Sequence, residues 1–154
     1  MDNEVMVREA TKQDMNDVVR ILFDDYHAKE KDEYIEPLPQ CYIDAYEYIL
    51  NDPNDSILVA CIGNEIVGTS QLKFSRHLAY HGHFRATIEA VRVDKNKRSQ
   101  GIGGKMIQYA IDKAKERQCS VIQLTSHISR TRAHEFYKRL GFEPTHVGMK
   151  MELL

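Results

Sequence analysis

The stretch Val91-Arg92-Val93-Asp94-Lys95-Asn96-Lys97-Arg98-Ser99-Gln100-Gly101-Ile102-Gly103-Gly104 runs from a β-rich segment through a basic turn into clustered glycines. Glycine permits dihedrals closed to other residues and lets backbone approach a ligand closely, and unpaired N–H groups at a helix start favour phosphate oxygens. A diphosphate is the natural guest of such a turn. Lys95, Lys97, Arg98 and Lys105 add positive charge beside it, although basic residues at a turn also serve solubility alone. Spacing excludes two nucleotide motifs. A triphosphate loop needs glycine where Ser99 stands and Ser or Thr where Met106 stands, and a dinucleotide fingerprint starting at Gly101 also needs glycine at Met106.

The other reactive side chains give weaker patterns. His81 and His83 form an HxH pair with no third ligand placed by the sequence, so they read as a polar loop and no metal is expected. His27, His134 and His146 are scattered, while His127 closes a short strand from which it could face a substrate. Cys41, Cys61 and Cys119 are odd in number, far apart and outside any CxxC pair. They read as reduced, packed thiols rather than a disulfide framework or zinc site.

The elements that position these residues follow from periodicity. Residues 4–9 alternate like a first strand, and Thr11 offers an N-cap to a helix carrying Met15, Val18, Val19, Leu22, Phe23 and Tyr26. The charged, proline-containing segment 29–39 reads as a loop, followed by a Tyr-rich helix over 40–50. Together these are candidates for a substrate lid. Strands over 56–62 and 65–74 meet at Gly63-Asn64, a hairpin dipeptide, and 84–93 is strand-like again. Ile102, Met106, Ile107, Ala110, Ile111 and Ala114 then recur at helical spacing to about residue 118, before a strand over 121–126. Thr131 can cap a helix through Ala133, Phe136, Tyr137 and Leu140 that ends at Gly141, and a last strand is expected over 145–153. Hairpins first and a βαβ crossover later predict an α/β (α+β mixed) fold whose central, mostly antiparallel mixed sheet is flanked by about four helices.

Composition limits the alternatives. With 154 residues, 42% hydrophobic and 29% charged, the chain fits one globular domain over 1–154. A formal net charge of −2 without a long basic run gives no electrostatic footprint for nucleic acid. No apolar run approaches the ~20 residues that cross a bilayer, and residues 1–10 lack the apolar stretch of a signal peptide, so a cytoplasmic location without membrane partners is expected.

Arg98-x-x-Gly101-x-Gly103 after a strand ending Val-x-Val resembles the acetyl-CoA signature of the GNAT acetyltransferases. Ala133-x-x-Phe136-Tyr137-x-x-x-Gly141-Phe142 resembles that family's later motif at the expected distance. The resemblance implies the GNAT fold and an acetyl-CoA-dependent N-acetyltransferase acting directly on a primary amine. It implies backbone contacts from Val91, Arg92 and Val93 to the pantetheine arm. It also implies a pyrophosphate cradle from Arg98, Ser99, Gln100, Gly101, Ile102, Gly103, Gly104 and Lys105, with Arg130, Ala133 and Phe136 completing the cofactor site. Many members carry asparagine where this chain has Arg130. The form Arg130-x-x-Ala133-His134-x-Phe136-Tyr137 followed by Thr145-His146 looks like the subgroup that includes aminoalkylphosphonate N-acetyltransferases.

The resemblance also assigns the chemistry. Tyr137 matches the tyrosine that protonates the coenzyme A thiolate, and a phenol of ordinary pKa about 10 keeps its proton at neutral pH. Ring packing beside Phe136 is the competing reading. Glu89 resembles the glutamate that acts as base, often through water; strict alternation puts it on the face of Val91, in a strand expected to be buried, although strand glutamates are more usually solvated. Tyr26, Tyr34 and Tyr42 could line the amine pocket together with His127. A non-catalytic acyl-CoA-binding module and an enzyme acting on a protein or peptide amine share these motifs. A homodimer in which the last strand pairs with another subunit is also open.

Overall fold

The computed structural model describes residues 4–24 and 34–154. Five strands form one sheet in the order β1 (Val5–Glu9), β2 (Asp55–Ile62), β3 (Glu65–Arg76), β4 (Phe84–Val93) and β5 (Val121–Leu124). Neighbours are antiparallel except β4 and β5, which are parallel and joined by the long crossover helix α4 (Ile102–Glu116). Helices α1 (Met15–Phe23) and α2 (Gln40–Leu50) precede the hairpins, α3 (Ala79–Gly82) is a single turn, and α5 (Thr131–Arg139) follows β5. This is the expected mixed architecture, with four helices longer than one turn.

The sheet is covered on both faces. Met15, Val18 and Ile21 of α1 and Tyr46 of α2 pack on Val59, Cys61 and Ile66, while Ile107, Ala110 and Ala114 of α4 pack on Leu58, Leu72, Ala86 and Ile88. Burial from both sides makes Leu58, Val59, Ala60 and Cys61 a continuous apolar run instead of an alternating one. Gly68 on β3 sets how close α4 can come. A Cβ there would lie 2.8 Å from Met106 Sδ, 3.2 Å from Arg92 O and 3.3 Å from Ile102 Cγ2.

Two expectations of the sequence are corrected. Thr131 is the first helical residue of α5 and Arg130 occupies the cap, because the chain arrives from a turn closed by Arg130 N–H to His127 O at 2.9 Å. Residues 145–153 form no strand: the alternation is present, but a strand exists only where a neighbour pairs with its backbone, and no described strand does.

Before α1, a single turn of 3₁₀ helix over Lys12–Asp14 is organised by the buried Asp14 carboxylate. It accepts from Arg8 at 2.7 and 3.0 Å, from Thr11 N–H at 2.7 Å and from the Thr11 hydroxyl at 3.1 Å. The Arg8 guanidinium, helped by Thr11, holds the Asp14 carboxyl below its ordinary range against the opposing effect of burial. Asp14→Ala should therefore cost about 1–2 kcal/mol in urea unfolding at neutral pH. Because the folded pKa is depressed, that difference is full above the ordinary carboxylate range near 4 and shrinks as pH falls through the lower folded value.

Candidate active site

Strands β4 and β5 pair only from Arg85 opposite Val121 to Ile88 opposite Leu124. There β5 ends, while β4 continues to Val93, so the sheet opens into a gap bordered by residues 89–93 and the segment after β5. Within the same stretch β4 bulges. Gln71 faces Glu89 but Thr69 faces Arg92, leaving Ala90 and Val91 opposite Ser70 alone, and Ala90 takes a left-handed φ of 51°. An extra residue disrupts the ladder, and backbone strain of this type costs about 1–3 kcal/mol and gathers at ligand sites.

The bulge overturns the expectation that Glu89 and Val91 share a face. Val91 joins Ala86 and Ile88 in the cluster under α4, whereas Glu89 alternates with Ile88 and points to the other side. Glu89 is exposed, not buried, and has no hydrogen-bond or ion-pair partner among the described residues.

Beyond Val93 the buried Asp94 builds the turn. Its N–H donates to Val67 O at 2.9 Å, its carboxylate accepts from Asn96 N–H at 2.8 Å and from Arg20 at 2.9 Å, and its carbonyl accepts from Lys97 N–H at 2.9 Å. Burial opposes ionisation of Asp94, but the Asn96 N–H and the Arg20 guanidinium outweigh it and hold the carboxyl low. The Asp-x-Asn sequence after a strand was the available signal for this organiser, since such side chains close turns on their own backbone.

Ser99 and Gly101 then take left-handed φ values of 63° and 77°, and the first α4 bond runs from Lys105 N–H to Gly101 O. The N–H groups of Ile102, Gly103 and Gly104 have no backbone acceptor among the described residues, as helix geometry requires. The three glycines differ in what they do. A Cβ on Gly101 or Gly104 would meet nothing within 4 Å, so Gly101 is needed for its dihedrals, while a Cβ on Gly103 would lie 3.3 Å from Phe136 Cζ. Ile102 contributes only its backbone, because its side chain is in the core beside Met106.

The positive charge is distributed differently from the sequence expectation. Lys95 pairs with Asp24 at 3.7 Å and Lys97 with Glu65 at 3.3 Å. Arg98 is exposed and its Nε reaches Val93 O at 3.4 Å; Gln100 and Lys105 are also exposed. A cleft of about 490 Å³ lies between the turn and α5, lined by Ser99, Thr131, Arg132, Glu135 and Arg139. Arg132 and Arg139 were not singled out by motif; their spacing of seven, two helical turns, was the usable signal. Another cavity, about 350 Å³, lies at the far end of α4 around Tyr109 and Arg117 and contains none of these residues.

Tyr137 is half-buried, edge-on to Phe136 and Phe142 with ring centroids 5.2 and 6.0 Å away. Burial pushes its phenol above the ordinary value, and the nearby Arg130 and Arg92 offset this only in part. The hydroxyl is thus within electrostatic reach of β4 beyond the ladder and of the segment after β5. Ala133 is half-buried on the same helix. Ser126 Oγ, just past β5, is buried without a hydrogen-bond partner among the described residues, a polar atom that no motif or periodicity marks.

His127 is exposed, and its Nδ1 accepts from Ser129 N–H at 3.2 Å, which leaves the ring proton on Nε2 when the imidazole is neutral. His134 Nε2 donates to His127 O at 2.9 Å and cinches the same turn. Tyr34 donates to Glu36 at 2.7 Å, which raises its pKa; Tyr26 lies outside the described residues. Burial also raises the Cys61 and Cys119 thiols, the opposite of an activated nucleophile, while Cys41 is exposed rather than packed. Among the described residues no cluster of three His, Cys, Asp or Glu could hold a metal, and no helix is long and apolar enough to cross a membrane.

The family model described as "Acetyltransferase (GNAT) family" matches residues 17–142, which contain the bulged strand, the glycine turn and α5. The chain belongs to the GNAT acetyltransferases. An aminoalkylphosphonate N-acetyltransferase of Salmonella typhimurium is 28% identical over 91% of this chain and 86% of its own length. A crystal structure from Bacillus halodurans, named as a transcriptional regulator, is 44% identical with a TM-score of 0.95, covering 97% of this chain and all of that one. A putative acetyltransferase from Agrobacterium tumefaciens shares the fold at a TM-score of 0.84 and 22% identity, over 96% of this chain and 99% of that one. This GNAT chain is accordingly an acyltransferase.

The contact between Gly103 and Phe136 gives a test that needs no ligand. Gly103→Val should lower stability by about 1–3 kcal/mol through overpacking against Phe136, whereas Gly104→Ala, facing open space, should stay within about 1 kcal/mol of the parent in denaturant unfolding.

Proposed function

We propose that this GNAT chain transfers the acetyl group of acetyl-CoA directly to a primary amine on a small molecule. The observation that carries the reading is the gap where β5 stops at Leu124 and β4 continues, with a protonated Tyr137 beside it and the unpaired N–H groups of α4 at its end. Acetyl-CoA fits these residues. Backbone freed by the bulge around Val91 and by Arg92 and Val93 is available to an amide-bearing arm. The donors of residues 101–104, with Arg98 and Lys105 exposed on the turn and helix start and Arg132 and Arg139 lining the cleft, suit a pyrophosphate.

The thioester supplies an activated acetyl group, and the chain's residues handle protons and charge. A neutral amine is needed for attack, so Glu89, exposed on the side of β4 away from α4, takes a proton from the incoming ammonium through water. In this reading a backbone N–H at the bulge stabilises developing negative charge on the carbonyl oxygen. As the C–N bond forms the nitrogen becomes cationic and releases its second proton to solvent; as the C–S bond breaks Tyr137 donates its hydroxyl proton to the departing sulfur and is reprotonated from solvent. Arg130 and Arg92 ease the transient phenolate. In this reading Tyr34 and His127 contact the amine. Similarity to an aminoalkylphosphonate N-acetyltransferase supports a small acceptor over a protein amine.

Acetyl-CoA at a hundredfold excess over its dissociation constant should add about 2.7 kcal/mol to stability, seen as a rise in melting temperature that NAD and ATP do not produce. A shift with ATP and none with acetyl-CoA would overturn the cofactor assignment. A panel of small amines, aminoalkylphosphonates, amino acids and peptides, followed by thiol release, then identifies the acceptor class.

Tyr137→Phe should lower kcat by about 10²–10⁴-fold with little change in acetyl-CoA affinity. Since burial raises the phenol's pKa, the Tyr137-dependent rate should persist through neutral pH and decline only as pH passes its ordinary value of about 10 and above. Near-normal kcat in the Phe variant, or equal losses of affinity and stability, would make Tyr137 a packing residue.

A further inference from the structure

A buried hydroxyl stands at the point where the sheet opens. The last β4–β5 pair is Ile88 with Leu124, and the same register carried two residues further sets Ser126 across the gap from Ala90, the bulged residue with the left-handed φ. Thr125 and His127 are exposed, whereas Ser126 between them is half-buried, and its Oγ is shut off from solvent with no hydrogen-bond partner among the described residues. That order continues the alternation of β5, whose Leu124 packs in the cluster that also holds Phe136 and Tyr137. Ser126 therefore faces the side of the sheet on which α5 carries Tyr137.

The backbone around Ser126 is pinned at both ends. The ladder fixes the chain at Leu124, and one residue past Ser126 the His127 carbonyl accepts from Arg130 N–H and from His134 Nε2, both at 2.9 Å. The segment cannot carry the hydroxyl out to water without breaking that turn. Burying a hydroxyl without a partner costs free energy that alanine, filling almost the same space, does not. Orphaned buried polar atoms are rare in native proteins, and one at the margin of a ligand gap points to a bond made with the ligand.

We propose that the Ser126 hydroxyl hydrogen-bonds an amide of the acetyl-CoA arm where the arm passes between β4 and the segment after β5, and so positions the thioester beside Tyr137. This role rests on the function proposed above. A guest in the gap meets backbone N–H and C=O groups of residues 89–93 on one margin, and on the other a hydroxyl able both to donate and to accept. An amide carries a donor and an acceptor and answers both margins, whereas a plain hydrocarbon chain would leave Ser126 orphaned.

Calorimetry on Ser126→Ala with two probes tests this role: acetyl-CoA, and its nucleotide diphosphate half, which keeps the pyrophosphate but lacks the amide arm. Loss of one net hydrogen bond should weaken acetyl-CoA binding about 3- to 10-fold and leave the nucleotide half unchanged. Without ligand, the variant should unfold at the same urea concentration as the parent or a higher one, because the group removed has no partner among the described residues. A variant that binds acetyl-CoA like the parent, that loses both probes equally, or that is less stable when unliganded overturns the role of Ser126 and leaves acetyl-CoA standing as the donor. A parent protein that fails to bind acetyl-CoA overturns the proposed function itself, and the role of Ser126 with it.

Discussion

The parallel ladder between β4 and β5 stops at Ile88 and Leu124 although β4 does not, and the rest of the site depends on that stop. Backbone N–H and C=O groups must find partners, so a central strand cannot simply lose its neighbour without cost. The bulge at Ala90 and Val91 turns the strand while Arg92 and Val93 regain register with Thr69 and Gly68 on β3. Asp94 then bonds to Val67 and folds the chain into the turn that feeds α4. Opening on one side of β4 is therefore balanced by secure pairing on the other.

Close packing is the second constraint. α4 must lie near enough to β4 for its first N–H groups to flank the gap, and α5 must lie near enough to α4 to put Tyr137 there. Gly68 permits the first approach and Gly103 the second, each because a methyl group would occupy space already taken by Met106 or Phe136. Gly101 serves another physical need, a backbone dihedral. A sequence motif records all of these as the same letter.

Much of this was legible because the signals are local. Periodicity placed β4 over Phe84–Val93 and α2 over Gln40–Leu50 with the observed bounds, and located the Gly63-Asn64 turn and the left-handed Gly141. The glycine turn and the motif around Tyr137 identified the family. What stayed hidden depends on residues distant in sequence. The bulge is a mismatch of register between β3 and β4, invisible in either strand alone, so alternation assigned Glu89 the wrong face relative to Val91. The Arg20–Asp94 pair joins residues 74 apart, and Lys95 and Lys97 look like phosphate ligands until Asp24 and Glu65 are seen beside them. Residues 145–153 have the alternation of a strand, but alternation does not supply the neighbour that makes one.

The single parallel pair also bears on the order in which the molecule assembles. The β2–β3 hairpin closes a turn of two residues and β3–β4 a short loop, whereas β5 can join β4 only after α4 has been laid across the sheet. Closing longer loops costs more entropy before contacts offset it, so the meander of β2, β3 and β4 is favoured to form first and β5 with α5 last. Both margins of the gap beyond Leu124 would thus come from different stages of folding. An edge of four residues added late, with α5 having no fully buried side chain, is also the part expected to open at the lowest free energy in the native state. The gap beyond Leu124 then lies on the seam between the stable meander and a looser C-terminal unit, where small openings can admit and release a bulky ligand while the main core stays folded.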